Sequence, residues 1–444
     1  MNIAILGYGE QGRSALEYWG AGNDITVCEE NPDVVIPTSA RKQVGQGYLH
    51  DLERFDLIIR SPAVHPRDIV AANGERILRK VTTVTEEFFR NCPAPIIGVT
   101  GTKGKGTTST LITKLLEAAG KTVHLGGNIG IPPLDLLKEN IQPSDYVVLE
   151  LANFQLIDLR VSPKIAVCLM VAPEHLDWHK DMKEYLAAKQ NLFRYQDDNG
   201  FAVFNRLNDF STEVVSVSPA LKLSYEVPPA GQEPQEKNGA YVLGDTIYYD
   251  DTAVCSVADI ALLGRHNLEN VCAAIAATWE IIGANTECIK SAVKTFAGLP
   301  HRLELIRELG GVRYYDDSFG TTPETAMVAI DAIPQPKVLI LGGSDKNASF
   351  DELARKVVSS NTHTAIVIGV TSAKIKSALG DAGFTNIVDG DTSIESIVEL
   401  ARAKAHPGDA VLLSTACASF DMFKNYKDRG ERFTKAVRAL DATA

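Results

Sequence analysis

The part of the sequence with the clearest chemical potential is residues 98–108, a glycine-rich stretch with two lysines (GVTGTKGKGTT). Glycines let backbone N–H groups curl around phosphate oxygens, and a lysine can reach the outer phosphates of a nucleotide. Lys105 is placed for that contact, and the Thr107 hydroxyl could hold Mg²⁺. Gly106 stands where the usual G-x-x-x-x-G-K-[ST] pattern has a hydroxyl residue. The stretch therefore predicts a phosphate-binding loop of modified form.

A second glycine pattern lies near the N-terminus, at residues 7–12 (GYGEQG), directly after the apolar run 2–6. Such a turn lets the backbone approach a pyrophosphate at the start of a helix. Glu29 follows about 20 residues later, where an acidic contact to a ribose would lie. The residues alone leave two interpretations open: a dinucleotide site, or a tight strand-to-helix turn without a ligand.

Further motifs follow in one order along the chain, and together with the lysine-containing glycine stretch they resemble those of the Mur ligases. These are ATP-dependent amide-forming enzymes of peptidoglycan synthesis, and the resemblance spans essentially the whole chain. The matching segments are 126–130 (GGNIG), 149–155 (LELANFQ), 174–177 (EHLD), 187–189 (AAK), 264–270 (GRHNLEN), 299–302 (LPHR), 316–321 (DDSFGT) and 416–430 (ACASFDMFKNYKDRG).

The resemblance implies a reaction and its reactants. In this family a carboxylate takes the γ-phosphate of ATP to give an acyl phosphate, which the amine of an amino acid then attacks. Segments 299–302 and 416–430 resemble most closely the members that add D-glutamate to UDP-N-acetylmuramoyl-L-alanine. ATP and Mg²⁺ are therefore the implied cofactors, and D-glutamate and UDP-N-acetylmuramoyl-L-alanine are the implied substrates. We expect a monomeric enzyme of cytoplasmic peptidoglycan precursor synthesis.

The resemblance also assigns roles to individual residues, and it implies that the first glycine turn binds the UDP of the substrate rather than NAD. The implied catalytic residues are Lys105, Glu150, His175 and Lys189, and the implied metal ligands are Thr107, Glu150, His175 and Lys189, the last as a carbamate. The implied ATP contacts are Gly101, Thr102, Lys103, Gly104, Lys105, Gly106, Thr107, Asn267, Asn270, Arg302 and Asp317. The implied contacts to the UDP substrate are Gly7, Gly9, Glu10, Gln11, Gly12, Glu29, Ser61, Asn128 and Gln155. The implied acceptor contacts are Thr321, Lys346, Ser419 and Tyr426.

The acceptor prediction rests on how an amino acid with two carboxylates can be held. Lys346 offers a cation in the loop after the predicted strand 338–341, and Thr321 and Ser419 offer hydroxyls. We expect a helix to open at Ser419, with N–H groups that suit a carboxylate, and to carry Tyr426 two turns later on the same face.

The sequence alone leaves other interpretations of the function open. Gly106 removes a hydroxyl beside the loop lysine, and Phe319 occupies a position that is lysine in some family members. A sister Mur ligase with another acceptor is one alternative, and a non-catalytic nucleotide-binding relative is another. An NAD-dependent dehydrogenase would explain residues 7–12 but would leave residues 98–105 without a role.

The sequence around these residues alternates between patterns typical of strands and patterns typical of helices. The 444 residues suggest two to four domains, three being the central expectation. We predict an α/β protein with three consecutive domains: a Rossmann-like UDP-substrate domain (1–93), a P-loop ATPase-type central domain (94–298) and a Rossmann-like amino-acid-binding domain (299–444). The predicted strands are 2–6, 24–28, 56–59, 95–99, 146–151, 165–171, 338–341, 365–368, 386–388 and 410–413, the main predicted helices are 107–120 and 268–279, and 220–260 is predicted to be a small antiparallel excursion.

Composition narrows the functional class and the compartment. The net charge of −12 argues against non-specific binding to nucleic acid or to an anionic membrane surface. Seven cysteines with no C-x-x-C spacing predict buried free thiols in a reducing cytosol. No apolar run approaches the roughly 18 residues needed to span a bilayer, and the first residues do not read as a signal peptide. We therefore expect a cytoplasmic protein with neither a nucleic-acid nor a membrane partner.

Overall fold

The computed structural model describes residues 1–441, which contain three mostly parallel sheets with helices packed against them. The chain forms two compact units, the first of Met1–Ile260 with Leu268–Phe296, and the second of Ala261–Asn267 with the chain from Ala297 onward. The first unit holds two of the sheets and the second unit holds the third. This architecture confirms the predicted α/β class. Each sheet falls within one of the three predicted segments, whose boundaries stay a prediction.

The first sheet is entirely parallel, and its first strand leads into the N-terminal glycine turn. Its elements are β1 (Asn2–Leu6), α1 (Glu10–Trp19), β2 (Asp24–Glu29), β3 (Arg41–Val44), β4 (Leu57–Arg60), α2 (Pro66–Asn73), β5 (Val81–Thr83) and α3 (Val84–Asn91). The strand order is β3-β2-β1-β4-β5. Gly7 has a left-handed φ of +85°, and a side chain at Gly12 would collide with the Gly7 carbonyl. The glycines therefore let α1 pack directly against the end of β1.

The middle sheet has nine strands in the order β14-β13-β12-β11-β10-β9-β6-β8-β7. Its strands are β6 (Ile96–Thr100), β7 (Val123–Gly127), β8 (Tyr146–Glu150), β9 (Ile165–Cys168), β10 (Phe201–Asn205), β11 (Leu221–Glu226), β12 (Ala240–Leu243), β13 (Thr246–Tyr249) and β14 (Thr252–Ser256). Its helices are α4 (Lys105–Ala118), α5 (Pro133–Leu136), α6 (Asn153–Leu156), α7 (Met182–Arg194), α8 (Asp209–Val215), α9 (His266–Ile282) and α10 (Thr286–Thr295). β6 and β9 are fully buried, and β8 is buried except for Tyr146 at its start, as expected of a parallel sheet covered on both faces.

Two predictions for this sheet need correction. The segment 220–260 is not a separate antiparallel excursion, because β11 pairs in parallel with both β10 and β12, and only β12, β13 and β14 are antiparallel. These strands extend the middle sheet. The predicted strand 165–171 ends at Cys168, because the chain beyond it bonds to the glycine-rich loop, where the Thr102 N–H donates to the Met170 carbonyl (2.9 Å).

The third sheet is parallel except for its first strand, and its elements are β15 (Glu304–Leu309), β16 (Val312–Asp316), α11 (Pro323–Ala332), β17 (Lys337–Gly342), α12 (Asp351–Ser359), β18 (Thr362–Ile368), α13 (Ser372–Asp381), β19 (Ile387–Asp389), α14 (Ile394–Lys404), β20 (Ala410–Leu413) and α15 (Tyr426–Ala439). The order is β15-β16-β20-β17-β18-β19, so the last strand lies between two earlier ones. The carboxyl ends of β16, β17 and β20 therefore lie side by side at one edge of the sheet.

The prediction that a helix begins at Ser419 is wrong. Residues 419–425 form turns in which the Ser419 carbonyl accepts hydrogen bonds from the N–H groups of Met422 and Phe423 (3.2 and 2.8 Å). The next helix, α15, begins at Tyr426, because Asn425 is extended and its side chain accepts a hydrogen bond from the Asp428 N–H. Ser419 and Tyr426 therefore do not share a helix face.

The cysteines and the helices bear on two further expectations. All seven cysteines are unpaired in the described chain; six are buried and Cys92 is half-buried, which confirms the predicted free thiols. Among residues 1–441, no helix combines the length and the apolar composition needed to cross a membrane.

Candidate active site

The glycine-rich loop connects β6 to α4 and can exist only with glycines at its bends. Gly101 and Gly104 have φ values of +147° and +87°, in the left-handed region. A side chain at Gly104 would collide with the amide oxygen of Asn270, and one at Gly101 would press on Leu169. The loop therefore lies tightly between neighbouring segments, with the N-terminus of α4 at its end. A loop of this kind offers its N–H groups to an anion.

Two lysines converge on one carbonyl oxygen of this loop. Lys105 Nζ donates to the carbonyls of Gly101 (3.1 Å) and Thr102 (2.9 Å), and Lys189 Nζ donates to the same Gly101 carbonyl (3.0 Å). In a chain with a net charge of −12, this concentrates positive charge beside the loop. It is the local environment that a polyphosphate needs.

Lys189 is held in an environment that favours its neutral amine. The side chain on α7 is 1% exposed, and its ammonium position is 4.5 Å from the centre of the Tyr185 ring. Burial, and next the neighbouring Lys105 charge, lower the pKa of Lys189 to about 7. An unprotonated amine is the form that reacts with carbon dioxide, so the environment suits the predicted carbamate, which stays a proposal.

Glu150, at the end of β8, offers a carboxylate oxygen to a cation. Its side chain is buried, and Oε1 accepts a hydrogen bond from the Asn128 side-chain amide (3.3 Å). Within residues 1–441, Oε2 has no hydrogen-bond partner. An unpaired buried carboxylate oxygen is costly, and it is the donor that Mg²⁺ prefers. Asn128, predicted to contact the UDP substrate, is seen here as the partner of Glu150.

His175 and Thr107 complete the predicted metal ligands. His175 lies in the loop before α7 with a positive φ of 56°. Its partly exposed ring lies 4.8 Å from the Phe154 ring, and its Nε2 lies 3.7 Å from Glu174 Oε2. Thr107 is buried in the first turn of α4, beside the loop. His175 is therefore held by aromatic packing, next to the segment that follows Glu150.

A buried polar cluster in the same unit was not predicted from the sequence. His179 lies with Nδ1 3.2 Å from Glu184 Oε2 and Nε2 2.6 Å from the Asn153 side-chain amide. His65, at the start of α2, has Nε2 3.5 Å from the same Glu184 oxygen, and its Nδ1 accepts the Arg67 N–H. Burial is the largest cause of the lowered pKa of both histidines. The only sequence signal was His179, which lies two residues after the segment 174–177, whereas His65 lies near no recognised motif.

Seven of the nine residues predicted to hold UDP, all except Asn128 and Gln155, form or border the first glycine turn. Gly9 and Glu10 are exposed at the start of α1, Gln11 is half-buried, and the Ser61 hydroxyl lies against Gly7. Glu29 Oε2 accepts the Tyr8 N–H (2.7 Å), so this carboxylate braces the turn itself.

Both polar atoms of the Gln155 side chain form hydrogen bonds within the protein. Its Oε1 accepts the Ala152 N–H (2.9 Å), and its Nε2 donates to Thr85 Oγ1 (3.4 Å). The side chain therefore shapes the segment after β8, next to Glu150.

The two asparagines predicted to contact ATP lie near the start of α9, and both are buried. Asn267 donates to the Leu263 carbonyl (2.7 Å). Asn270 Oδ1 accepts the Thr108 hydroxyl (3.1 Å) and borders Gly104 of the glycine-rich loop. Asn270 therefore braces the loop.

Arg302 and Asp317 lie in the second compact unit. The Arg302 guanidinium lies 3.6 Å from the centre of the Phe319 ring, and Tyr426 meets the same ring edge-on at 5.0 Å. Phe319, the aromatic residue that departs from the family pattern, thus supports a predicted ATP contact. Asp317 is buried and accepts the Ser414 hydroxyl (2.7 Å). Burial raises the pKa of Asp317 to about 7.

The predicted acceptor residues lie in the loops at the carboxyl edge of the third sheet. Lys346 is exposed, Thr321 and Tyr426 are half-buried, and Ser419 is buried. The loop that carries Lys346 is tied to the segment that carries Ser419, because the Ser344 N–H donates to the Ala418 carbonyl (2.8 Å).

Arg429 is a structural residue that sequence reasoning missed. Its guanidinium is fully buried and donates to the Ser318 hydroxyl (2.8 Å), the Ser318 carbonyl (2.8 Å) and the Cys417 carbonyl (3.1 Å). The Ser318 hydroxyl in turn donates to the Tyr426 carbonyl (2.8 Å). Burial lowers the pKa of Arg429 to about 10, so it stays charged at neutral pH. This one side chain joins two of the recognised motifs, 316–321 and 416–430.

A glycine next to Arg429 permits a second junction between motifs. His301 Nδ1 lies 2.7 Å from Asp316 Oδ2, and this hydrogen bond raises the pKa of His301. A side chain at Gly430 would collide with His301 and crowd Asp316. Glycine is therefore required for α15 to lie against this pair.

Comparison with known proteins gives two family matches. Residues 99–278 match the Mur ligase middle domain, and residues 301–417 match the Mur ligase, glutamate ligase domain. Together they cover more than half of the chain.

Similar proteins are full-length relatives. One from Acetivibrio thermocellus is 36% identical over 99% of this chain and 97% of the relative, and one from Clostridium tetani is 35% identical over 99% and 96%. A third, from Symbiobacterium thermophilum, is 37% identical over 98% of each chain. All three carry the name UDP-N-acetylmuramoylalanine--D-glutamate ligase.

Solved structures share the fold at low sequence identity. The UDP-N-acetylmuramate-alanine ligase MurC from Thermotoga maritima is 15% identical, with a TM-score of 0.62, and covers 99% of both chains. The MurF ligase from Thermotoga maritima, solved in complex with ADP, is 17% identical with a TM-score of 0.59, over 98% of this chain and 95% of that one.

Proposed function

Because the chain belongs to the Mur ligase family of ATP-dependent peptide-forming ligases, we propose that it joins D-glutamate to UDP-N-acetylmuramoyl-L-alanine in the cytoplasm. The observation that carries this choice is the shared name of the relatives that align over nearly the whole chain at 35–37% identity. The architecture supports it, because the glycine-rich loop follows the carboxyl end of β6, and the proposed acceptor residues Lys346 and Ser419 follow β17 and β20.

In the first step the L-alanyl carboxylate attacks the γ-phosphorus of ATP, and an acyl phosphate and ADP form. Lys105 and the loop N–H groups offset the charge on the phosphates. Bound Mg²⁺ would supply further neutralisation of that charge. Glu150, with its unpartnered Oε2, is the residue best suited to hold it; His175, Thr107 and the carbamate of Lys189 would complete the ligands.

In the second step the unprotonated amine of D-glutamate attacks the acyl carbonyl, the tetrahedral adduct collapses and inorganic phosphate leaves. We assign the acceptor carboxylates to Lys346, Thr321 and Ser419, with Tyr426 as a wall of the site. Arg302 and Asp317 are assigned to ATP. The buried Arg429 keeps the loops of these residues in place without touching a reactant.

A phosphate-release assay tests the proposal. Phosphate should appear only when ATP, Mg²⁺, UDP-N-acetylmuramoyl-L-alanine and D-glutamate are all present. In competition at equal concentration, D-glutamate should outpace L-glutamate, D-aspartate, L-lysine and meso-diaminopimelate by well over tenfold, roughly the 1.4 kcal/mol of one misplaced charge contact. Faster turnover with another acceptor would identify a sister ligase, and no release with any of the five would contradict the ligase activity.

A further inference from the structure

Tyr185 is a buried residue beside the glycine-rich loop to which the proposed mechanism gives no role. It lies on α7, four residues before Lys189, so the two side chains share one face of the helix. Its hydroxyl oxygen lies 2.9 Å from Thr102 Oγ1, and the Lys189 Nζ is 4.5 Å from the centre of its ring. One side chain therefore contacts both the loop and the lysine beside it.

The direction of the hydrogen bond between Tyr185 and Thr102 follows from counting protons. The Thr102 hydroxyl donates to the Ala172 carbonyl (3.0 Å) and accepts from the Ala172 N–H (2.9 Å). A threonine hydroxyl has a single proton, so the Tyr185 O–H must be the donor toward Thr102. Burial raises the pKa of Tyr185 to about 12, and the phenol therefore keeps this proton at neutral pH.

The residue that receives this hydrogen bond also orients the loop lysine. The Thr102 carbonyl accepts from Lys105 Nζ (2.9 Å), and the preceding Gly101 carbonyl accepts from both Lys105 and Lys189. Two side chains one helical turn apart on α7 thus hold two successive residues of the loop. Loss of the Tyr185 hydroxyl would remove one of the hydrogen bonds that hold Thr102, whose carbonyl is one of the two that place Lys105.

We propose that Tyr185 is a positioning residue for nucleotide binding: its hydroxyl fixes the glycine-rich loop through Thr102, and its ring supports Lys189. It acts through these neighbours and touches no reactant. The inference rests on the proposed binding of ATP phosphates by this loop. It explains why a polar aromatic residue, rather than an apolar one, fills a completely buried position on α7.

The test separates the hydroxyl from the ring. Tyr185→Phe should weaken binding of a non-hydrolysable ATP analogue, measured by calorimetry, about five- to tenfold, the effect of one buried hydrogen bond. Thr102→Val should weaken it at least as much, and adding Tyr185→Phe to Thr102→Val should change nothing further. Thr102→Ser, which keeps the hydroxyl, should lose less affinity than Thr102→Val.

A matched control is Tyr241→Phe, which removes another buried phenol hydroxyl, one that donates to the Asp250 carbonyl (2.8 Å) in the middle sheet. It should leave nucleotide affinity unchanged. Tyr185→Leu, which also removes the ring, should lower the Lys189 carbamate signal in ¹³C-bicarbonate NMR, whereas Tyr185→Phe should not.

Three results would overturn the role of Tyr185: wild-type affinity in Tyr185→Phe, multiplicative effects of Tyr185→Phe and Thr102→Val, or an equal loss in Tyr241→Phe. These binding measurements need no acceptor or UDP substrate. A wild-type protein that binds the analogue but releases no phosphate would therefore count against the proposed ligase reaction and not against Tyr185.

Discussion

The glycine-rich loop of the middle sheet and the acceptor loops of the third sheet use buried charge in opposite ways. Around the loop, Lys105 and Lys189 crowd one carbonyl and Glu150 keeps an unpartnered oxygen. At the third sheet, the buried Arg429 is saturated by a hydroxyl and two carbonyls, and the predicted acceptor cation Lys346 is exposed. The Glu150 oxygen without a hydrogen-bond partner is available to a cation, whereas the paired and buried charge of Arg429 serves the fold.

The largest expected effect lies at the loop. Lys105→Ala should reduce kcat at least about a thousandfold, or ~4 kcal/mol, because the phosphates lose their main side-chain cation. The melting temperature should change little. Lys114→Ala, an exposed lysine on the same helix, is the control and should retain activity. Near-normal turnover of Lys105→Ala would contradict the proposed role of the glycine-rich loop in catalysis.

Lys189→Ala should lower turnover by roughly several hundredfold, with partial recovery on adding formate or acetate, which can fill the space of a carbamate. Lys183→Ala, exposed on the same helix, should behave as the wild type. No rescue, together with an unmodified Lys189 in a metal-loaded crystal, would contradict the carbamate.

The same lysine should give a pH signature. Because its pKa of about 7 lies below the ordinary 10.5, the neutral amine predominates above pH 7 and disappears as the pH falls below it. The fraction of carbamate, followed by ¹³C NMR at fixed carbon dioxide, should therefore rise between pH 6 and 8. A flat profile over that range would show that the amine titrates elsewhere.

At the third sheet the expected effect is on stability. Arg429→Met should lower the free energy of unfolding in urea by about 3 kcal/mol, because buried carbonyls lose their donor. Arg432→Met, an exposed residue on the same helix paired with Asp428, should cost no more than about 0.5 kcal/mol. If Arg429→Met kept full stability but lost acceptor affinity, the conclusion that buried charge at the third sheet serves the fold would be wrong.

The smallest effect concerns Asp317. Its folded-state pKa of about 7 exceeds the ordinary 3.8, so the folded state binds more protons between these values and its stability declines as the pH rises through that window. Asp317→Asn removes the titration. The free-energy difference between variant and wild type should move by roughly 2.5 kcal/mol in favour of the variant from pH 5 to pH 8. A pH-independent difference would exclude Asp317 as the titrating group.

Features set by neighbours in sequence were predictable. The strands Asn2–Leu6 and Ala410–Leu413 match the predictions, and α4 starts two residues early because the left-handed Gly104 already caps it. The turns at 419–425 were not predictable, because their geometry depends on Ser344 and Asp421, which hydrogen bond across a large sequence distance.

Site residues show the same limit. A motif indicates that Gln155 or Asn128 matters, yet it cannot tell a ligand contact from a bond to Ala152 or Glu150. Arg429 was missed because arginine is ordinarily exposed, and only the fold supplies the three oxygens that let it be buried.

The position of β20 has a consequence for biosynthesis. This strand lies between β16 and β17 although it follows every other strand of its sheet in the chain. On the ribosome, the first unit is complete at Phe296, but the third sheet cannot close until Leu413 has emerged. Until then two strands expose unpaired backbone edges, and Arg429 has not yet been made. A truncated or stalled chain would therefore present a finished first unit joined to an aggregation-prone remainder, a natural target for quality-control proteases.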